Sequence, residues 1–296
     1  MKKICFFTLI FTMIIIYPVF SETTKESLIK NKVINKFNDF NTNLIQRFAD
    51  SIKKNDRVKY LDIGFEFAEK GKSSLDIKAV NKLKENKDSA LFNQTSFTIH
   101  DNDETINFGI GYRKLLNDDL LMLGSNIFFD YQFDESHART GLGVEAISSV
   151  FDLRGNYYNA ISGYKDTDTG EEKALDGMDA QIDYHLPGKN DVNFFANIFE
   201  WKNSSSDYKI RGEKYGTNFK ISNLLIEGGY LNDNKNNDGA FGSIKLVIPL
   251  GSIDDTAQNQ KPFERVSVRD KLYQPVKREN KIKVVKISSG VTVSGY

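Results

Sequence analysis

Hydrophobic and polar side chains alternate from Thr105 to Ala146, in three runs joined by turns of a few polar residues. One face collects Ile106, Phe108, Ile110 and Tyr112, then Leu121, Leu123, Ile127, Phe129 and Tyr131, then Leu142, Val144 and Ala146. The other collects Asn107, Gly109, Gly111 and Arg113, then Gly124, Asn126 and Asp130, then Arg139, Gly141, Gly143 and Glu145. Period two predicts β-strands, whose successive side chains point to opposite faces. A polar face of charges and glycines, rather than of solvated Lys and Thr, predicts a wall with lipid outside and a polar lumen inside. Ile244 and Leu246 extend the lipid-facing set to the end of the pattern.

From Tyr60 onward twelve strands are expected, near 60–68, 73–83, 91–100, 105–115, 120–132, 138–148, 151–161, 177–186, 192–201, 213–221, 224–232 and 240–250. An even number is the rule for single-chain bacterial outer-membrane barrels. Connections after the even strands are short, and those after strands seven, nine and eleven are longer and polar. That asymmetry fits short periplasmic turns and longer external loops, with the first strand rising from the periplasm and the last returning to it.

The flanks differ. Residues 1–21 read as a signal peptide: Lys2 and Lys3, then an apolar run from Ile4 to Phe20, with small Val19 and Ser21 before Glu22. Cys5 lies within it, so the expected mature chain carries no cysteine and no disulfide framework. Residues 22–58 place Ile29, Val33, Phe37, Phe40, Leu44, Phe48 and Ile52 three or four apart, an apolar helical stripe in a periplasmic segment. The barrel is assigned to 59–250 and a linker or tail to 251–296, whose last residues, IKVVKISSGVTVSGY, regain strand-like alternation.

NFGIGYR at 107–113, MLGSNIFFDY at 122–131 and HARTGLGVE at 137–145 resemble the barrel domain of the intimin/invasin inverse autotransporters. GKSSLD at 71–76, GMD at 177–179 and Leu186-Pro187 resemble other strands of that family, and RDKL at 269–272 with VKRENKI at 276–282 resembles its linker. The resemblance covers about residues 45–283 and implies a twelve-stranded antiparallel transmembrane barrel. In it the linker, here Arg269, Leu272, Val276, Arg278, Asn280 and Ile282, turns into the pore and leads a C-terminal passenger to the cell surface for adhesion or invasion. Residues 251–280 extended reach roughly 100 Å, more than the roughly 40–45 Å of a whole bilayer. Little sequence follows Asn280, so the passenger is expected to be absent or truncated.

The remaining chemistry adjusts this picture little. A formal net charge of zero argues against a nucleic-acid binder, which would show a basic stripe. A mean hydropathy of -0.44 is compatible with barrel strands, which are half polar. His100, His137 and His185 share no metal-ligand spacing. Ser136 beside His137 is an unsuitable nucleophile–base pair, since neighbours on a strand face opposite sides. The acidic run DTDTGEE at 166–172 lacks the full calcium-loop pattern and reads as a solvated loop. No catalytic residue, cofactor or metal is expected. Glycines at 109, 111, 141 and 143 are expected to leave room in the lumen for a passing chain. Arg113, Asp130, Arg139 and Glu145 are expected to form a register-fixing salt-bridge ladder and to hold the linker.

Expected partners are outer-membrane lipid and lipopolysaccharide, the barrel-assembly machinery during insertion, and a host-cell or surface receptor. The expected role is an outer-membrane translocator that anchors and exports a C-terminal segment. The rivals are a stand-alone porin-like pore, a passenger-less remnant with binding loops, and a β-rich periplasmic binding protein.

Overall fold

A computed structural model describes residues 56–70, 72–100, 103–167, 170–186, 192–248, 250, 265–288 and 291–294. The expected signal peptide and nearly all of the expected helical segment lie outside these residues. The strands are β1 (Val58–Ala68), β2 (Ser74–Glu85), β3 (Ser89–His100), β4 (Asp103–Leu116), β5 (Leu121–Gln132), β6 (Ala138–Ser148) and β7 (Phe151–Ala160). Then follow β8 (Lys165–Thr167), β9 (Gly170–Ala174), β10 (Asp176–His185), β11 (Val192–Lys202), β12 (Lys209–Ile221), β13 (Leu224–Asp233) and β14 (Gly239–Ile248). The tail adds β15 (Val284–Ser288) and β16 (Val291–Ser294).

Twelve of these close a barrel in the order β1-β14-β13-β12-β11-β10-β7-β6-β5-β4-β3-β2. Every neighbouring pair is antiparallel, and the barrel closes where β1 meets β14, from Leu61 opposite Ile248 to Ala68 opposite Phe241. Closure leaves no open edge, so every wall strand has its backbone partners on both sides, as hydrocarbon demands. The twelve expected strands agree with these, with ends shifted by a few residues. β8 and β9 are additional: they form a hairpin in the connection from β7 to β10, and β9 pairs with β15 to give a second sheet in the order β16-β15-β9-β8. The acidic run at 166–172 is therefore largely a paired hairpin and not the solvated loop expected from its composition.

The first and last wall strands start and end at one rim, here the terminal rim. Its turns lie at 86–88, 117–120, 149–150 and 222–223, and β10 and β11 are also joined on this side. Asn117, Asp118 and Asp119 all take positive φ there, a conformation that short Asn and Asp side chains tolerate. On the opposite rim only the 161–175 connection is long, so the expected length asymmetry is carried mainly by that one loop.

The outer face is apolar. Phe108, Ile110, Leu123, Ile127, Phe129, Leu142, Val144 and Ile244 all stand exposed, Val144 the most at 65%. Leu246 follows Ile244 at the same strand phase and is half-buried. Phe108, Phe129 and Thr140 lie side by side on three strands, as do Ile110, Ile127 and Leu142. Aromatic pairs sit toward both rims, Phe151 with Tyr184 at 5.1 Å and Tyr131 with Phe133 at 5.3 Å, the arrangement of interfacial girdles. Arginine at Phe129 should reduce insertion, by about 2–4 kcal/mol near the midplane. The check is the yield of the heat-modifiable folded form in outer-membrane fractions; an unchanged yield would place Phe129 away from lipid.

Candidate functional site

The lumen contains the tail. It meets the terminal rim where the backbone N–H of Val268 donates to the carbonyl of Asp119 at 2.8 Å and the Arg269 guanidinium binds the Asp119 carboxylate at 2.8 and 3.1 Å. A single 3-10 turn, Arg269–Tyr273, buries Leu272. Leu272 and Val268 pack with Ala90, Leu115, Met122 and Ile147 from the wall. The chain then extends. Val276 packs with Val80, Phe92 and Phe128.

An extended chain in a lumen has no strand partner for its backbone, and each buried N–H or C=O left unmade costs about 1–3 kcal/mol. Wall side chains supply the partners. Arg113, fully buried, donates to the carbonyls of Leu272 and Gln274 at 2.9 and 2.6 Å while its Nε donates to Glu145 at 2.6 Å. Gln94 accepts from the N–H of Val276 at 2.7 Å and donates to its carbonyl at 3.4 Å, a side-chain imitation of a strand neighbour. Asn156 donates to the carbonyl of Lys277 at 3.1 Å, Arg139 to that of Glu279 at 2.8 Å and Asn107 to that of Asn280 at 2.9 Å. The Tyr158 hydroxyl accepts from the N–H of Glu279 and donates to Asp179.

Charge fixes the register. Asp130 takes two hydrogen bonds from Arg278 of the tail, at 2.8 and 2.7 Å, one from Arg139 at 2.8 Å and one from Asn107 at 2.8 Å. The Arg278 side chain is 1% exposed and Asp130 wholly buried. Arg278 lies 4.2 Å from the Phe128 ring centre and Arg139 4.5 Å from that of Tyr158, the face-on stacking a planar guanidinium favours. Farther along, Asn280 donates to Asp76 at 3.3 Å and Lys281 pairs with Glu66 at 3.2 Å. At the terminal-rim side Arg154 pairs with both Asp152 and Asp183, which also holds Lys277 at 2.7 Å.

The glycines act through their neighbours. A Cβ at Gly109 would lie 2.3 Å from the Phe128 ring and one at Gly111 2.3 Å from the Phe92 ring, so both make room for inward rings rather than for the tail. At Gly141, by contrast, a Cβ would meet the tail, 3.0 Å from Arg278. At Gly143 it would meet the amides of Asn126 and Asn156 at 2.6 and 2.7 Å, which places Asn126 in the lumen wall.

At the far rim the tail joins the hairpin. The N–H of Leu175 donates to the carbonyl of Lys283, β15 pairs with β9 from Val284 opposite Ala174 to Ile287 opposite Glu171, and Ile282 packs with Ala174 and Val284. Beneath this sheet His137 contacts Ser162 Oγ through Nδ1 at 2.9 Å and Glu172 through Nε2 at 3.0 Å, and Glu172 also faces Lys286 at 3.3 Å. Burial alone would raise the Glu172 carboxyl, but the hydrogen bond from His137 and the charge of Lys286 outweigh it and hold it below the usual carboxylate range. The serine beside His137 is thus Ser162, from the next rim connection, and the chain of contacts ties β6, the hairpin and the tail together.

The structure therefore brings Asn107, Arg113, Asp130, Arg139 and Glu145 together with Leu272, Val276, Arg278 and Asn280. Arg269 stands outside that cluster, at the terminal rim. Sequence reasoning missed Gln94, Asn156, Tyr158 and the inward rings Phe92 and Phe128. The same alternation that marked β4–β6 marks them too: Phe92, Gln94 and Ser96 share one phase of β3, and Asp152, Arg154, Asn156 and Tyr158 one phase of β7.

The chain matches the family model described as "Inverse autotransporter, beta-domain" over residues 19–280. An attaching and effacing protein homolog of Escherichia coli (strain K12) is 32% identical over 100 residues, 33% of this chain and 34% of that protein. The uncharacterized protein YchO of the same strain is 24% identical over 159 residues, 49% of this chain and 34% of that protein. The chain thus spans about a third of the length of these curated relatives. A membrane-protein structure solved in a study of in-meso crystallization aligns with a TM-score of 0.63 at 21% identity, over 76% of this chain and 98% of that one, a likeness of fold. With the closed twelve-stranded barrel, the family match identifies the chain as a member of the inverse autotransporter β-domain family, an outer-membrane β-barrel.

Proposed function

We propose that the barrel is a translocator: it anchors the chain in the outer membrane and carries its C-terminal segment through the lumen to the cell surface. The supporting observation is the path of the tail, which is bound to Asp119 at the terminal rim, to Asp130 within the wall and to β9 at the opposite rim. A twelve-stranded wall returns the chain to the rim where it began, and the lumen is the route across. The segment at 1–21 serves as the export signal in this reading, lipid and lipopolysaccharide surround the wall, and the barrel-assembly machinery inserts it. A role in adhesion, through a surface receptor, follows the kinship with the attaching and effacing protein homolog.

A protease-cleavable tag placed after Tyr296 tests the route. On intact cells the tag should be cut by added protease. A tag protected on whole cells yet cut after the outer membrane is permeabilised would overturn export and leave the tail periplasmic.

A further inference from the structure

The tail fills one side of the lumen. Its hydrogen bonds described above run to β1–β7, β9 and β10, and beside it a cavity of about 460 Å³ remains against the inner faces of β11–β14. The cavity is lined from Asn193 and Lys220, close to the terminal rim, to Lys70 and Asn237 at the far rim. Its lining residues therefore span the height of the wall beside the tail.

Its lining is cationic in a particular way. Several of its charges cancel in pairs, Lys281 with Glu66, Lys78 with Asp76 and Lys277 with Asp183. Lys214, Lys220 and Lys245 form no direct ion pair: among the described residues none of the three has a carboxylate oxygen within 4.0 Å. The strands that carry them, β12 and β14, flank β13, whose Glu227 is the one acid these three strands give to the cavity. Lys220 and Lys245 lie at one level, both opposite Leu225, and Lys214 lies three inward positions farther up, beyond Asn218 and Gly216. Lys220 is exposed near the terminal-rim end of β12, whereas Lys214 and Lys245 are half-buried and the fold accommodates them inside. A Cβ at Gly64 would fall 3.0 Å from Cγ of Lys245, so that glycine clears the path of the lysine stem, and the Lys214 ammonium rests 5.0 Å from the Phe241 ring centre.

Unpaired ammonium groups along a polar passage attract anions and repel cations, and low-dielectric walls strengthen the bias. Rings of Lys and Arg perform this role in anion pores. We propose that the barrel, with its tail in place, is an anion-selective conduit for ions of the size of chloride and small carboxylates, and that Lys214, Lys220 and Lys245 set the selectivity. This does not depend on export, because it concerns the space the tail leaves open.

The test uses the purified full chain in planar bilayers under a KCl gradient. A small conductance whose reversal potential shows preference for chloride is expected. Replacing the three lysines together (K214E, K220E, K245E) should reverse the sign of that potential, and the neutral set (K214Q, K220Q, K245Q) should reduce the preference while conductance persists. Folding of each variant is read from heat-modifiable migration, and where the glutamate set fails to fold the glutamine set decides. No conductance from the folded full chain, a preference for potassium, or a reversal potential unmoved by the substitutions would overturn the proposal.

Discussion

Deletion of residues 252–296 should raise the conductance of the barrel severalfold, the largest functional change expected from any alteration of this chain. The tail places Leu272, Val276 and Arg278 in the interior, and the wall residues that hold them are themselves buried: Arg113, Asp130 and Arg139 are each 0% exposed. Without the tail this half of the lumen is open to water. The wall should survive, because its ladders are complete without the tail and Arg113 and Arg139 keep Glu145 and Asp130 as partners. Water then satisfies the groups that bound the tail backbone, at little cost in a polar channel. The measurement is single-channel conductance of the truncated and full chains in the same lipid. Equal conductance would mean that the tail does not occlude the pore, and would favour the stand-alone porin reading.

The wall was legible in the sequence because lipid imposes a strict rule. Each membrane strand must show an apolar side chain at alternate positions, so Phe108, Ile110, Ile127 and Phe129 announce both their strands and their phase. The inward face obeys no comparable rule. Phe92 and Phe128 are apolar yet point into the lumen, where they cover Gly111 and Gly109 and serve as stacking surfaces for Arg113 and Arg278. Nothing local distinguishes such a ring from a lipid-facing one except strand phase. The 166–172 segment failed for a related reason. Its composition is that of a solvated loop, and the burial of Glu172 depends on His137 and on Lys286, both far away in the chain. The linker motif was visible through its resemblance, but the atoms that receive each of its carbonyls follow only from the register of a closed barrel.

Asp130→Ala should destabilise the folded barrel more than any other single truncation in the lumen. Asp130 is the common partner of Arg139 and Arg278, whose side chains are 0% and 1% exposed. Removing it leaves two guanidiniums facing each other with no carboxylate between them, and breaking a buried pair in this way typically costs about 3–5 kcal/mol. Stacking on Phe128 and Tyr158 persists but offsets only part of it, about 0.5–2 kcal/mol for each stacked cation. Arg278→Ala is the informative contrast. It leaves Asp130 bound to Arg139 and Asn107, so the wall keeps a satisfied carboxylate and the loss falls on the tail. Urea unfolding of the detergent-solubilised barrel should therefore shift strongly for Asp130→Ala and weakly for Arg278→Ala, whereas protease should reach the linker more readily in both. Equal unfolding shifts for the two variants would mean that the tail arginine contributes as much to the wall as the wall arginine does, and that the tail is a structural stave of the barrel.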